Sequence, residues 1–237
     1  MQLNKSGIWL FAIGLIAGGI LGLLGFPGSG KLPEVWFDWQ PLGVIAVALG
    51  LLFQRTRAVA GGLVAAFSLF MLVSLGSDLI RRPHLLRLWV GPAHMLTFAS
   101  VGIAVVRPGF RQVARVTFGI AVAMCGGTHL FFTDEYAGQL PDWLLVPKAW
   151  LYLTGLVQLA AGSLIAVGLR ASTAAFAIGF LWLSWIPLMF MPLGSDANGV
   201  ENQMSVALLL LALAGAAWVV GERASVPSGE DLPSRSH

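Results

Sequence analysis

Residues 7–26 read GIWLFAIGLIAGGILGLLGF, twenty positions without a charged side chain. A helix rises about 1.5 Å per residue, so such a run crosses a hydrocarbon layer about 30 Å thick. Seven more apolar stretches follow it: one within 36–53 whose clean part is 41–53, then 58–75, 88–106, 116–132, 150–168, 174–193 and 204–220. The sequence therefore predicts an all-α, polytopic membrane bundle of eight transmembrane helices. Lys5 before the first run and Gly28-Ser29-Gly30 after it imitate a signal peptide. The run is longer than the roughly 7–15 residues of a signal h-region, which favours a retained helix.

Composition agrees. Of 237 residues 57% are hydrophobic and 11% charged, with mean hydropathy +0.81. A soluble domain carries about 25% charged residues, so a water-facing surface is excluded. A soluble nucleic-acid binder is excluded too, because the formal charge of +3 is spread over apolar sequence and forms no basic stripe. The single cysteine, Cys125, allows neither an internal disulfide nor a CxxC centre and reads as a packing residue.

The charges also orient the chain. With eight spans, Lys5, Arg55, Arg57, Arg107, Arg111, Arg115, Arg170, Arg223 and Arg235 share the side of the termini, against Lys31, Arg81, Arg82, Arg87 and Lys148 opposite. The positive-inside rule makes both termini cytoplasmic, in a multi-pass protein of the inner (plasma) membrane. Residues 107–115 join two halves on that side, where their arginines meet anionic lipid. Residues 221–237 read as a disordered cytoplasmic tail. The longer outer loops, 27–40 and 133–149, suit short interfacial helices or re-entrant caps beneath a tryptophan belt.

A weak internal repeat runs through the chain at a shift of about 108–112 residues. Gly18-Gly19 meets Gly126-Gly127, Pro33-Glu34-Val35-Trp36 meets Pro141-Asp142-Trp143-Leu144, and Gly43 and Gly50 meet Gly155 and Gly162. This predicts two four-helix repeats, 1–106 and 107–220, pointing the same way across the membrane. Gly14, Gly18 and Gly22 on the first helix, and Ala212 and Ala216 on the last, offer small-residue packing surfaces.

Ionisable groups at membrane depth are the default site candidates, because burying them is costly. The sequence offers His94, His129, Gln158 and Gln203, with Asp134 and Glu135 just beyond His129, and hydroxyls at Thr97, Thr128, Thr154 and Ser184. An imidazole there could trade a proton with a carboxylate or a bound quinone. It could equally serve only to hydrogen-bond a neighbouring helix. No HExxH or CxxC pattern is present, so no metal site and no resident cofactor is expected. Trp182 and Trp185 lie inside a span, as packing residues or as the lining of a cavity.

The second half resembles the DoxX-like family of small membrane proteins. Phe118-Gly119-Ile120, Gly127-Thr128-His129-Leu130-Phe131, Pro141-Asp142-Trp143, and Trp150 to Gly155 running into Gln158-Leu159-Ala160-Ala161-Gly162 carry the resemblance, which covers about residues 113–220. It implies a four-helix membrane unit. Family members are typically four-span proteins, so this chain looks like a fused tandem pair whose first half has Leu21 in place of His129 at a 108-residue shift. The family borders on subunits linked to quinone-dependent oxidation, and most members have no established activity. Three functions compete: an accessory, non-catalytic component of the envelope or respiratory membrane; a quinone-linked redox subunit with a redox partner chain; and a small-solute or proton-coupled transporter with a path lined by His94, His129, Gln158 and Gln203. The lipid bilayer is the partner common to all three, and nucleic acid to none.

Overall fold

The computed structural model of the protein describes residues 6–23, 40–85, 87–138, 140, 144–190 and 197–224. They form α1 (Ser6–Leu23), α2 (Gln40–Leu52), α3 (Arg57–Arg81), α4 (Arg87–Val106), a single 3-10 turn (Pro108–Phe110), α5 (Arg111–Phe131), α6 (Thr133–Ala137), α7 (Pro147–Val167), α8 (Ala171–Phe190) and α9 (Ala197–Ala224). Among the described residues, α1, α3, α4, α5, α7, α8 and α9 are long and apolar enough to cross a membrane. The chain is an all-α, multi-pass membrane bundle. With 13 residues, α2 extends only about 20 Å; residues 24–39 before it lie outside the described residues.

Several helices overrun the apolar stretches that announce them. α3 continues through Gly76 and Asp78 to Arg81, α5 begins at Arg111, α7 takes in Lys148, and α9 extends beyond residue 221 to Ala224. Thus residues 107–115 are not one connection, and the tail does not start at 221. The physical reason is that hydropathy marks only the lipid-immersed part of a helix. Long basic side chains carry the helix onward while their heads reach water. Of the two longer connections, 133–149 holds the short helix α6 and the start of α7, whereas 27–39 lies outside the described residues.

Small residues set the neighbours. α1 packs on α9 through Gly7, Gly14 and Gly215; a Cβ on Gly14 would stand 2.7 Å from the Ala212 nitrogen. α5 packs on α7 through Gly119, Gly126, Gly155 and Gly162, where a Cβ on Gly162 would stand 2.5 Å from the Ala123 nitrogen. α3 meets α4 at Gly61 and Gly102. Close backbone approach replaces hydrophobic exclusion, which lipid does not supply. The expected Gly14–Gly18–Gly22 surface is not one interface. Gly14 faces α9, Gly22 faces Pro41 of α2, and Gly18 has nothing within 4 Å, while the neighbouring Gly19 makes the close contact with α2 at Ile45. Likewise Gly43 meets nothing and Gly50 meets Ala60 of α3, unlike Gly155 and Gly162 of α7, which both meet α5.

These contacts close a ring in which each of the eight longer helices touches the next in chain order and α9 returns to α1. α9 also touches α4 and α5 across the middle. Phe11 and Phe118 are the largest fully buried side chains. Phe11 packs edge-on to Phe98 at 5.5 Å and Phe118 edge-on to Trp182 at 6.2 Å. Trp182 is thereby a packing residue.

Candidate functional site

The last turns of α5 carry Thr128 and His129, and α6 opens with Thr133. Thr128 donates its hydroxyl to the Cys125 carbonyl at 2.8 Å, and Thr133 donates to the His129 carbonyl at 2.7 Å. The second of these bonds satisfies a carbonyl that the helix end would leave orphaned. The chain then turns into α6 and brings Tyr136 back over His129, ring centroids 4.9 Å apart. The Tyr136 hydroxyl stands 3.4 Å from Thr128 Oγ1. Burial pushes the Tyr136 phenol up to about 12, so it is a neutral hydroxyl at physiological pH.

α7 supplies the facing wall. Thr154 and Gln158 lie four apart, on one helical face. They reach α5 because Gly155 and Gly126 bring the two backbones together; a Cβ on Gly155 would stand 3.0 Å from His129 Cβ. His129 Nδ1 is 3.1 Å from Thr154 Oγ1, and Gln158 Nε2 is 3.4 Å from the same ring nitrogen. Thr154 also directs its hydroxyl at the Trp150 carbonyl, 2.8 Å away. A hydroxyl has one hydrogen. Donated to Trp150, it leaves the Thr154 oxygen to accept from His129 Nδ1–H; Nε2 is then the free acceptor of the imidazole, and Gln158 Nε2, itself a donor, lies beside the Nδ1–H without bonding to it. Trp185 of α8 closes the third side with its ring 6.3 Å from the imidazole.

The Gln158 amide is not fully satisfied by this network. Gln158 is 1% exposed, and its Oε1 makes no hydrogen bond. Turning the amide over lets Oε1 accept from His129 Nδ1–H and leaves Nε2 without a partner. A buried polar atom without a partner is costly, so the cluster has capacity for one more hydrogen-bonding group.

The other expected members lie elsewhere. Asp134 pairs with Lys148 at 2.6 Å on the surface, and Glu135 is exposed on α6. His94 lies on α4 two residues after Pro92, and no hydrogen bond or ring contact joins it to His129. Gln203 falls in the first turns of α9, and its side chain lies outside the described residues. Thr97 and Ser184 donate to carbonyls of their own helices, Ala93 and Leu181. The sequence reading missed Tyr136 and Trp185 as neighbours of His129. Tyr136 sits one helical turn past Phe132, a spacing that becomes informative only once the fold back at Thr133 is known. Among the described residues no group of three or more His, Cys, Asp or Glu is placed to hold a metal ion.

Fold and cluster together define a polytopic helical membrane protein with an interior hydrogen-bonding cluster built on α5, α6 and α7 and flanked by Trp185 of α8. Comparison with known proteins adds a partial likeness. Transmembrane protein 14C of Bos taurus is 34% identical over 74 residues, which are 31% of this chain and 65% of that protein. The chain thus spans slightly under two thirds of the length of that relative. No family model matches the chain, and no solved structure matches it.

Proposed function

We propose that the chain is an eight-span protein of the inner membrane, built from two parallel four-helix repeats with a DoxX-like second half. In this reading both termini are cytoplasmic and the role is that of an accessory, non-catalytic membrane component. The repeat is supported by burial in register. Six of the seven buried residues of α1 (Gly7, Phe11, Ala12, Gly14, Gly19 and Leu21) have a buried counterpart in α5 at a shift of 107: Ala114, Phe118, Gly119, Ala121, Gly126 and Thr128. In α4 and α9 a shift of 115 pairs Thr97, Ala99, Val101, Ala104 and Val105 with Ala212, Ala214, Ala216, Val219 and Val220, all buried. The ring of neighbours also maps onto itself when the two halves are exchanged. In this register His129 falls opposite Gly22, so the polar cluster belongs to the second half alone. An eighth span is supported by α2, whose first turn meets the end of α1 at Gly19 and Gly22 and whose last turn meets the start of α3 at Gly50 and Ala60.

The observation that carries the accessory role is the sequestration of the cluster: its polar atoms bond chiefly to one another and to their own helices. A second reading, a quinone-linked subunit, draws on the unpartnered Gln158 Oε1 beside His129, where a guest could bind. Native purification followed by mass spectrometry of bound small molecules and partner chains separates the two. The accessory reading expects partner chains without quinone, and a stoichiometric quinone would overturn it. Orientation is tested in a Cys125→Ala background by labelling Ala137→Cys and Arg107→Cys from each side of the membrane; labelling of Ala137→Cys from the cytoplasm would reverse it.

A further inference from the structure

Three arginines gather where α5 begins and α7 ends. Arg111 opens α5, and Arg115 follows one turn later on the same face. α7 stops at Gly168, whose φ of 88° is left-handed. The Arg115 guanidinium lies against that glycine: a Cβ on Gly168 would stand 2.8 Å from Arg115 Cζ. Two residues on, Arg170, itself at φ 49°, turns the chain into α8.

The carboxylate described at this end, Glu222 of α9, accepts a hydrogen bond from Ser6 at the start of α1. No carboxylate among the described residues lies within ion-pair distance of Arg111, Arg115 or Arg170; the ion pairs that form are Arg82–Asp78 and Lys148–Asp134. Like charges one helical turn apart repel. The first turn of α5 has no acidic residue and its N-cap, Phe110, gives no side-chain bond, so its free N–H groups add to the positive potential. Arg111 Nε is buried without a hydrogen-bond partner. Around these guanidinium groups the surface is apolar: Phe110 is 45% exposed, Val113 52%, Val167 66% and Leu169 63%. A charged socket bordered by exposed hydrocarbon at the end of spanning helices suits a ligand with an anionic head and an acyl body.

We propose that Arg111, Arg115 and Arg170 bind the phosphodiester headgroup of an anionic membrane lipid, with its acyl chains against Val113, Val167 and Leu169. The site is independent of the His129 cluster and of the function assigned to it.

The test is thermal unfolding of the full chain in a neutral detergent, with added dioleoylphosphatidylglycerol, dioleoylphosphatidylcholine or inorganic phosphate. Phosphatidylglycerol should raise the midpoint more than phosphatidylcholine does, and inorganic phosphate should leave it in place. Arg111→Gln combined with Arg170→Asn should abolish the difference between the two lipids. Arg170→Asn alone, which keeps a residue tolerant of positive φ, should reduce it if the double variant does not fold. Arg55→Asn removes the same charge from the α2–α3 turn and should preserve it. Equal responses to the two lipids in the unmodified chain, or equal losses from Arg170→Asn and Arg55→Asn, overturn the site. A rise with inorganic phosphate as large as with phosphatidylglycerol assigns it to the free anion and overturns the lipid.

Discussion

His129 and Thr154 meet at 3.1 Å across the α5–α7 interface, and Gln158, one turn further along α7, reaches the same imidazole nitrogen at 3.4 Å. The contact joins two helices held together by glycines, so polar specificity and close packing act at one place. Interhelical hydrogen bonds in membranes contribute about 0.6 kcal/mol on average and up to about 1.7. Thr154→Val removes the bond while keeping the shape of the side chain. It should lower unfolding free energy in a detergent–SDS titration by about 1 kcal/mol.

Gln158→Leu should act in the opposite direction. The glutamine is 1% exposed and its Oε1 has no partner, a defect costing about 1–3 kcal/mol in a buried site. Leucine fills a similar volume without an amide. The purified chain should therefore gain about 1 kcal/mol in the same titration. A loss instead would mean that the amide is satisfied in the folded chain, by His129 or by a guest, and would remove the unpartnered atom on which this prediction rests.

Tyr136 gives a spectroscopic reading of the turn into α6. The chain has two tyrosines, so Tyr152→Phe leaves Tyr136 as the sole phenol. Its absorbance change on ionisation should centre near pH 12, where an unperturbed phenol titrates near 10. The sign of the linkage follows. Above about pH 10 the unfolded chain releases the phenolic proton while the folded chain retains it, so stability falls as pH rises and the loss levels off past about 12. Titration near pH 10 in the folded chain would show that Tyr136 does not pack over His129.

Asp134 was expected beside the polar cluster, and the structure pairs it with Lys148 at 2.6 Å on the surface, with side chains 84% and 60% exposed. Water screens such a pair, and exposed pairs contribute about 0–1 kcal/mol. Asp134→Asn should change stability by less than about 1 kcal/mol, and binding of any guest at Gln158 should be unaffected. A larger effect in either measurement would place the carboxylate inside the working site.

The long apolar runs made the helical bundle legible in the sequence, because each had to satisfy its backbone internally. His129, Gln158, Thr128 and Thr154 were legible as candidates because polar groups are rare at that depth. Their assembly was not fully legible. Tyr136 arrives through a reversal at Thr133, and His94 is polar at similar depth yet has no bond to the cluster. Helix ends were hidden for a different reason: Arg111, Lys148 and Arg81 belong to helices that hydropathy cuts short. The glycines were visible as a class, but spacing by four did not show which of them touch a neighbour, since Gly14 faces α9, Gly22 faces α2 and Gly18 faces neither.

That last point gives a sharp test. Gly162 and Gly18 are both mid-helix glycines, and residue type alone makes them equivalent. A Cβ on Gly162 would stand 2.5 Å from the Ala123 nitrogen and 2.6 Å from the Gly119 carbonyl, rigid backbone that can give way only if α5 and α7 separate. A Cβ on Gly18 would meet nothing within 4 Å. Alanine also improves helix propensity by about 1 kcal/mol over glycine. Gly18→Ala should therefore be neutral or stabilising by up to about 1 kcal/mol. Gly162→Ala should destabilise despite the same propensity gain, by about 1–3 kcal/mol as overpacking does. It should also pull Thr154 and Gln158 away from His129, so its loss and that of Thr154→Val should sum to less than the two taken singly. Measured side by side by SDS titration, equal responses at the two glycines would refute the α5–α7 contact on which the site rests.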